Sequence, residues 1–186
     1  MAVDAKNIRI AGTGTVWIAP VGTALPTDST TSLNVAFNNV GFLTDGFEVN
    51  QEYKTKDVEV WQSLEVVRQY PTSISRKISF EAVETNKQTA ALAWGGATIT
   101  KTTGGAYSMA IPSTYINSEY AVVLDTSDGT VNQRIVLPRV TLDSLPKITS
   151  GRQDTIKYGF ELQVLQPTDN SAPVLFYGVD SNGLGA

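Results

Sequence analysis

Thr155-Ile-Lys-Tyr-Gly-Phe-Glu-Leu-Gln-Val-Leu165 sets Ile156, Tyr158, Phe160, Leu162 and Val164 on one side of an extended chain, and Thr155, Lys157, Glu161 and Gln163 on the other. Successive side chains of a strand point to opposite faces, so this alternation predicts a long strand with one face in a core and the other in water. Residues 73–84 repeat the pattern, with Ile74, Ile78, Phe80 and Ala82 inward and Ser73, Ser75, Lys77, Ser79 and Glu81 outward.

Turn signals join further strands. A short apolar run at 120–124 meets residues 131–142 across Asp128-Gly129, a dipeptide suited to the positive φ of a tight hairpin. Asp45-Gly46 predicts the same kind of turn between 40–44 and 47–49, and shorter strands are expected at 15–19 and 174–177. One segment departs from the β pattern. Asn86 can cap a helix over 87–94, where Ala90, Ala91 and Ala93 favour helix and Gly95-Gly96 end it. Residues 20–32, rich in Gly, Pro, Thr and Ser, read as an extended surface arm, and 98–106 as a loop. The expected fold is mainly β: a two-sheet β-sandwich or barrel with one short α-helix. No repeat or linker divides the 186 residues, so one domain over 1–186 is expected, with 178–186 a mobile tail.

Composition narrows the chemistry. There is no cysteine and no histidine, which removes thiol nucleophiles, zinc clusters and the Ser-His-Asp relay. No catalytic residue, metal or cofactor is expected, and the chain reads as a non-enzyme. A net charge of -4 argues against a surface that grips DNA phosphates. No signal peptide opens the chain and no apolar run approaches a membrane span, so a soluble protein without membrane contact is expected.

Local motifs have plain alternatives. Gly12-Thr-Gly14 could begin a phosphate cradle, but Trp17 stands at the third glycine position and a turn entering a strand explains it. Asp125-Thr-Ser-Asp128-Gly129 lacks the spacing and distal Glu of a calcium loop and reads as a hairpin turn. Glu59, Glu65, Glu81 and Glu84 could supply an acid/base pair, yet carboxylates on solvent faces of strands are ordinary. Residues 48–65 carry Glu48, Glu52, Lys54, Lys56, Asp57 and Glu59 around Tyr53, with Trp61 close behind. Such mixed charge suits a solvated hairpin, or a projecting one that meets a neighbouring subunit and takes its register from charge.

Several segments, in order, resemble the major tail tube proteins of siphophages. Residues 14–28, Gly-Thr-Val-Trp-Ile-Ala-Pro-Val-Gly-Thr-Ala-Leu-Pro-Thr-Asp, are similar to that family's first strand and following arm. Val40-Gly-Phe-Leu-Thr-Asp-Gly46 resembles the next turn, and 57–62 with Trp61-Gln62 the segment after a large loop. Phe80-Glu-Ala-Val-Glu-Thr-Asn86 leads into a helix and Trp94-Gly95-Gly96 as in the family. The likeness is close over 12–96 and looser over 107–177. Some members carry a C-terminal immunoglobulin-like domain, and none is expected in this chain.

The resemblance implies hexameric rings stacked into a tube, with four strands per subunit forming a continuous lumen β-barrel and a long hairpin reaching the next ring. Twenty-four strands give a backbone diameter of roughly 35 to 50 Å, wide enough for duplex DNA. It further implies a ring-stacking hairpin over 48–71 carrying Glu48, Glu52, Tyr53, Lys54, Lys56, Asp57 and Glu59. A subunit-contact arm at Leu25, Pro26, Thr27 and Asp28 follows from it too, as does a lumen face carrying Ser75, Lys77, Ser79, Glu81, Lys157, Glu161 and Gln163. Lys77 and Lys157 fit poorly on a wall meant to repel phosphate. The implied partners are copies of itself and the tape measure, tail terminator and tail-tip proteins, with DNA passing through unbound. The implied place is the virion tail, assembled in the cytoplasm of the host bacterium. The competing readings are a tube or terminator component of a phage or contractile injection system, and a β-sandwich carbohydrate-binding or adhesin module.

Overall fold

Alternating and β-branched sequence makes strands of most of the chain. The computed structural model describes residues 8–95, 97–111, 113–114, 118–129 and 131–179. In chain order the elements are β1 (Thr13–Pro20), β2 (Asn38–Asn39), β3 (Leu43–Val60), β4 (Ser63–Ala82), α1 (Lys87–Ala93), β5 (Thr98–Lys101), β6 (Tyr107–Ala110), β7 (Glu119–Asp128), β8 (Val131–Leu142), β9 (Lys147–Gly151), β10 (Asp154–Val164) and β11 (Leu175–Val179). Nine strands form one antiparallel sheet in the order β2-β1-β7-β8-β10-β4-β3, with β11 beside β8 and β9 beside β10, while β5 and β6 pair separately.

The sandwich is made by folding this sheet on itself. One edge of β8 is divided: residues 132–136 pair with β11, and Val140, Thr141 and Leu142 pair with β10. That three-residue junction joins the layer β2-β1-β7-β8 to the layer β10-β4-β3. Between them lies the main core, where Val16, Ile18, Val122, Leu124 and Leu137 share one cluster with Ile78, Phe80, Phe160, Leu162 and Leu92 of α1. Phe80 and Phe160 face each other across β4 and β10 with ring centroids 5.2 Å apart. The apolar run at 120–124 is continuous because β7 is buried on both faces: Val122 and Leu124 enter this core, while Ala121 and Val123 enter a second one with Ala19, Phe37 and Val136.

The β7–β8 hairpin forms as expected, with Gly129 at φ 62. Asp45-Gly46 does not turn the chain. β3 runs through it, and Leu43 pairs with Ala82 while Phe47 pairs with Phe80, so residues 44–46 stand opposite Glu81 alone. Gly46, at φ 93, absorbs the extra backbone as a bulge, since glycine adopts that conformation without steric cost. Residues 98–106 are likewise more ordered than a loop: Thr98-Ile-Thr-Lys101 pairs with β6 across Gly104 and Gly105, both at positive φ. Ile74 and Ile156, expected inside, are exposed, because their strands run on past the end of the core. Of the tail 178–186, Gly178 and Val179 complete β11 against Asn132 and Gln133, and 180–186 lie outside the described residues.

Asn86 caps α1 as expected: its side chain accepts from the amides of Gln88 and Thr89, both at 2.9 Å, and the Thr89 hydroxyl accepts from the Asn86 amide at 3.0 Å. Its amide group also donates to the Val40 carbonyl at 3.1 Å, and Glu84 accepts from the Phe42 amide at 3.3 Å. The Val40-Gly-Phe and Glu84-Thr-Asn segments are thus one joint, with Gly41 at φ 95 tight against Glu84. Asn86→Ala should lower unfolding free energy by about 1–2 kcal/mol, the usual loss of a cap. Urea denaturation measures it, and a loss of only a few tenths would show the joint to be dispensable.

Candidate assembly surfaces

The longest strands of the chain leave the body together. β3 and β4 pair from Val49↔Ile78 out to Val60↔Ser63, and every residue from 48 to 74 is exposed. The ten residues 51–60 span about 33 Å at strand rise. Cross-strand contacts rather than a core hold this arm. Arg76 Nε donates to Gln51 Oε1 at 3.1 Å, Thr72 Oγ1 to the Lys54 carbonyl at 3.1 Å and Gln69 Nε2 to Asp57 Oδ1 at 2.8 Å. Tyr53, Lys54, Lys56, Asp57 and Glu59 sit on the projecting part. Glu48 lies lower, in the row Glu48–Ser79–Glu161 of the body. The tip, Trp61-Gln62, carries Trp61 and Leu64 fully exposed, and Val58 and Val60 beside them are also exposed. Charge drew attention to the stem of this hairpin, whereas its apolar tip is the stronger surface signal.

A four-stranded layer runs in the order β3-β4-β10-β9. Its pairings gather Glu48, Asn50, Glu52 and Lys54 of β3, Ser75, Lys77, Ser79 and Glu81 of β4, and Lys157, Glu161 and Gln163 of β10 on the face away from the core. β9 adds Lys147 and Thr149, which sequence reading missed because a five-residue strand gives little periodicity. Ser75 donates to Gln163 Oε1 at 3.1 Å, and Glu81 accepts from Thr44 Oγ1 at 3.1 Å. The two awkward lysines are closed in ion pairs, Lys77 with Asp143 at 2.7 Å and Lys157 with Asp154 at 3.1 Å. Those hydrogen bonds, with the carboxylate charge behind them, raise both ammonium groups above the usual lysine range. Glu48, Glu52, Glu81 and Glu161 then outnumber the face's other two lysines, Lys54 and Lys147. Among the described residues, β3 pairs only with β4 and β9 only with β10, so both margins of the layer present free backbone groups.

The segment 20–37 lies across its own protomer. Pro26 is buried, Leu25 and Leu33 pack on the second core, Asp28 is half-buried and Thr27 is exposed. The Thr31 hydroxyl, then the amides of Thr31 and Thr30, hold the Asp28 carboxyl well below the usual range. Beneath the arm is buried Arg134, which donates from Nε and Nη2 to the two oxygens of Asp125 at 2.6 and 3.1 Å. Its Nη1 donates to the carbonyls of Asp28 and Thr31 at 3.0 and 2.8 Å. This clamp was also missed. Its signal was an arginine at an inward position of β8, two residues before buried Val136.

Glu59 and Glu65 stand on the exposed hairpin, while Glu81 and Glu84 serve Thr44 and Phe42 as acceptors. No group of three or more potential ligands could hold a metal among the described residues, and none of their helices is long and apolar enough to cross a membrane.

A family model described as phage tail tube protein matches residues 1–182. No curated protein sequence matches the chain. Among solved structures, a chain from the virion of a native gene transfer agent particle is 12% identical at TM-score 0.42, over 94% of this chain and 98% of that one. A chain from the tail of an empty gene transfer agent particle, solved by helical refinement with C6 symmetry, is 11% identical at TM-score 0.43 over the same shares.

Proposed function

Because the chain belongs to the phage tail tube protein family and is a structural subunit of a tail tube, we propose that six copies close into a ring and that rings stack into the DNA conduit of a long non-contractile tail. The observation that carries this reading is the layer β3-β4-β10-β9 with both margins open. An uncovered strand edge invites pairing, and six such layers joined margin to margin form a closed barrel without edges. Four strands from each of six subunits is also the number the sequence resemblance implies. The inner wall is then the face bearing Ser75, Lys77, Ser79, Glu81, Lys157, Glu161 and Gln163. Lys77 and Lys157 are engaged by Asp143 and Asp154, and four glutamates outnumber Lys54 and Lys147, so passing phosphates meet a wall with an excess of carboxylate.

The hairpin with Glu52, Tyr53, Lys54, Lys56, Asp57 and Glu59 extends from one end of this barrel towards the adjoining ring. The exposed Thr27 side of the arm meets a neighbour within the ring. The role is structural, without catalysis and without a cofactor. Head-to-tail stacking leaves a different free face at each end of the tube. Those faces suit a tail-tip complex at one end and a terminator at the other, with a tape measure protein inside, assembled in the host bacterial cytoplasm.

Negative-stain electron microscopy beside light scattering, over a range of protein and salt concentrations, tests the assignment. Hollow tubes with sixfold end views are expected. A chain that stays monomeric throughout, and still does so when tail-tip complex is added, would sink it.

A further inference from the structure

Two apolar features lie at opposite ends of the four-stranded layer, and among the described residues neither is covered by another part of the protomer. One is the hairpin tip with Trp61 and Leu64. The other is an open, mainly apolar pocket of about 480 Å³ whose lining includes Ala93, Trp94, Ile111, Leu145, Pro146 and Ile148 beside Gly95 and Ser113; of these Trp94, Ile111 and Leu145 are exposed. Cross-strand register places them. Ile148 pairs with Tyr158, Tyr158 with Ala82 and Ala82 with Leu43, so the pocket is level with the base of the hairpin strands. From Ala82 out to Ser63 at the tip is about 60 Å of strand. The pocket also lies on the side of β9 away from Lys147 and Thr149, off the proposed lumen wall.

We infer that the hairpin tip of one copy docks Trp61 and Leu64 into the Trp94–Leu145–Ile148 pocket of a second copy in the adjoining ring. This rests on the stacked-ring reading and names the receptor that reading lacks. In a head-to-tail stack, the tip end of every ring meets the base end of the next, which makes a heterologous contact between two different patches of one chain. The reach agrees. The base of the layer extends from Tyr158 to Asp154, about 13 Å below the pocket row, and the arm stands about 33 Å clear of the body. The chemistry also agrees, since a fully exposed tryptophan and leucine meet a pocket with an aromatic and aliphatic lining. A buried aromatic anchor of this kind dominates many interfaces. Six copies per ring make the contact multivalent, so each dock can be weak while the stack is firm.

The chain has no cysteine, which allows a direct test. A disulfide requires Cβ atoms about 4 Å apart. Within a protomer positions 64 and 145 are far too distant, so a bond between them reports contact between copies. The double variant Leu64→Cys/Leu145→Cys, assembled and then mildly oxidised, should give a ladder of covalent multimers on a non-reducing gel. Leu64→Cys alone should give none. Separately, Trp61→Ser should raise the protein concentration needed for assembly by at least about tenfold, with the melting temperature of the unassembled chain unchanged. Tubes without a ladder, or dimers from Leu64→Cys alone, would overturn the docking and leave the tube reading intact. A wild-type chain that never forms tubes would sink both.

Discussion

Arg134→Met should lower the unfolding free energy by about 3 kcal/mol, because it strands the Asp125 carboxylate under the arm and removes the donor that two arm carbonyls share. Removing one partner of a buried ion pair costs about 3–5 kcal/mol, and the lower end applies because Asp125 keeps some contact with solvent. Lysine at 134 should recover little, since one ammonium cannot reproduce a planar fork that serves Asp125, Asp28 and Thr31 together. Arg134→Met/Asp125→Leu should recover most of it, because an apolar pair of similar volume leaves no stranded charge. Urea denaturation of the four proteins decides the matter. A loss under about 1 kcal/mol for the single methionine variant would mean that the arm does not depend on the clamp.

The second large effect concerns assembly rather than stability. Joining Asn50 to Lys77 by Asn-Gly, in place of residues 51–76, keeps the paired rows from Val49–Ile78 inward and removes the whole projecting arm. The shortened chain should unfold within about 1 kcal/mol of the parent, as expected where no core contact is lost. It should form no tubes at any concentration. Light scattering and electron microscopy give the readout, and tubes of ordinary length would show that stacking does not need the arm.

The difference between these experiments follows what the amino-acid pattern discloses. Alternation over 155–165 and 73–84 identified two central strands and their inward faces, because a half-buried strand must write its core contact into every second residue. Asn86 and the alanines after it announced α1 for an equally local reason. Asp45-Gly46 misled because the positive φ that closes a hairpin also opens a bulge, and only the partner strand distinguishes them. Ile74 and Ile156 misled because the alternation runs on where the core has ended.

The candidate surfaces were legible in proportion to their composition. The charged stem of the hairpin stood out, with Trp61 noted only as lying close behind it, while Leu64 drew no attention until its exposure was seen. The partners of Lys77 and Lys157 differ in kind: Asp154 is three residues from Lys157, but Asp143 lies 66 positions from Lys77. No local reading could join the latter pair. Arg134 posed the same problem, since the arm that covers it is more than a hundred residues away in sequence.

The bulge at residues 44–46 has a consequence for length. A hairpin pinned only by alternating faces could slide by two residues and keep every side chain on its proper side. Such a slip would move the tip by about 7 Å. Here three residues stand opposite Glu81 alone, and Gly46 alone among them lacks a Cβ, so a shifted pairing would force a bulkier residue into its left-handed conformation. The bulge therefore acts as the zero mark of a ruler. It fixes how far the arm stands out from the subunit, and in the proposed stack an error in that distance would accumulate ring by ring.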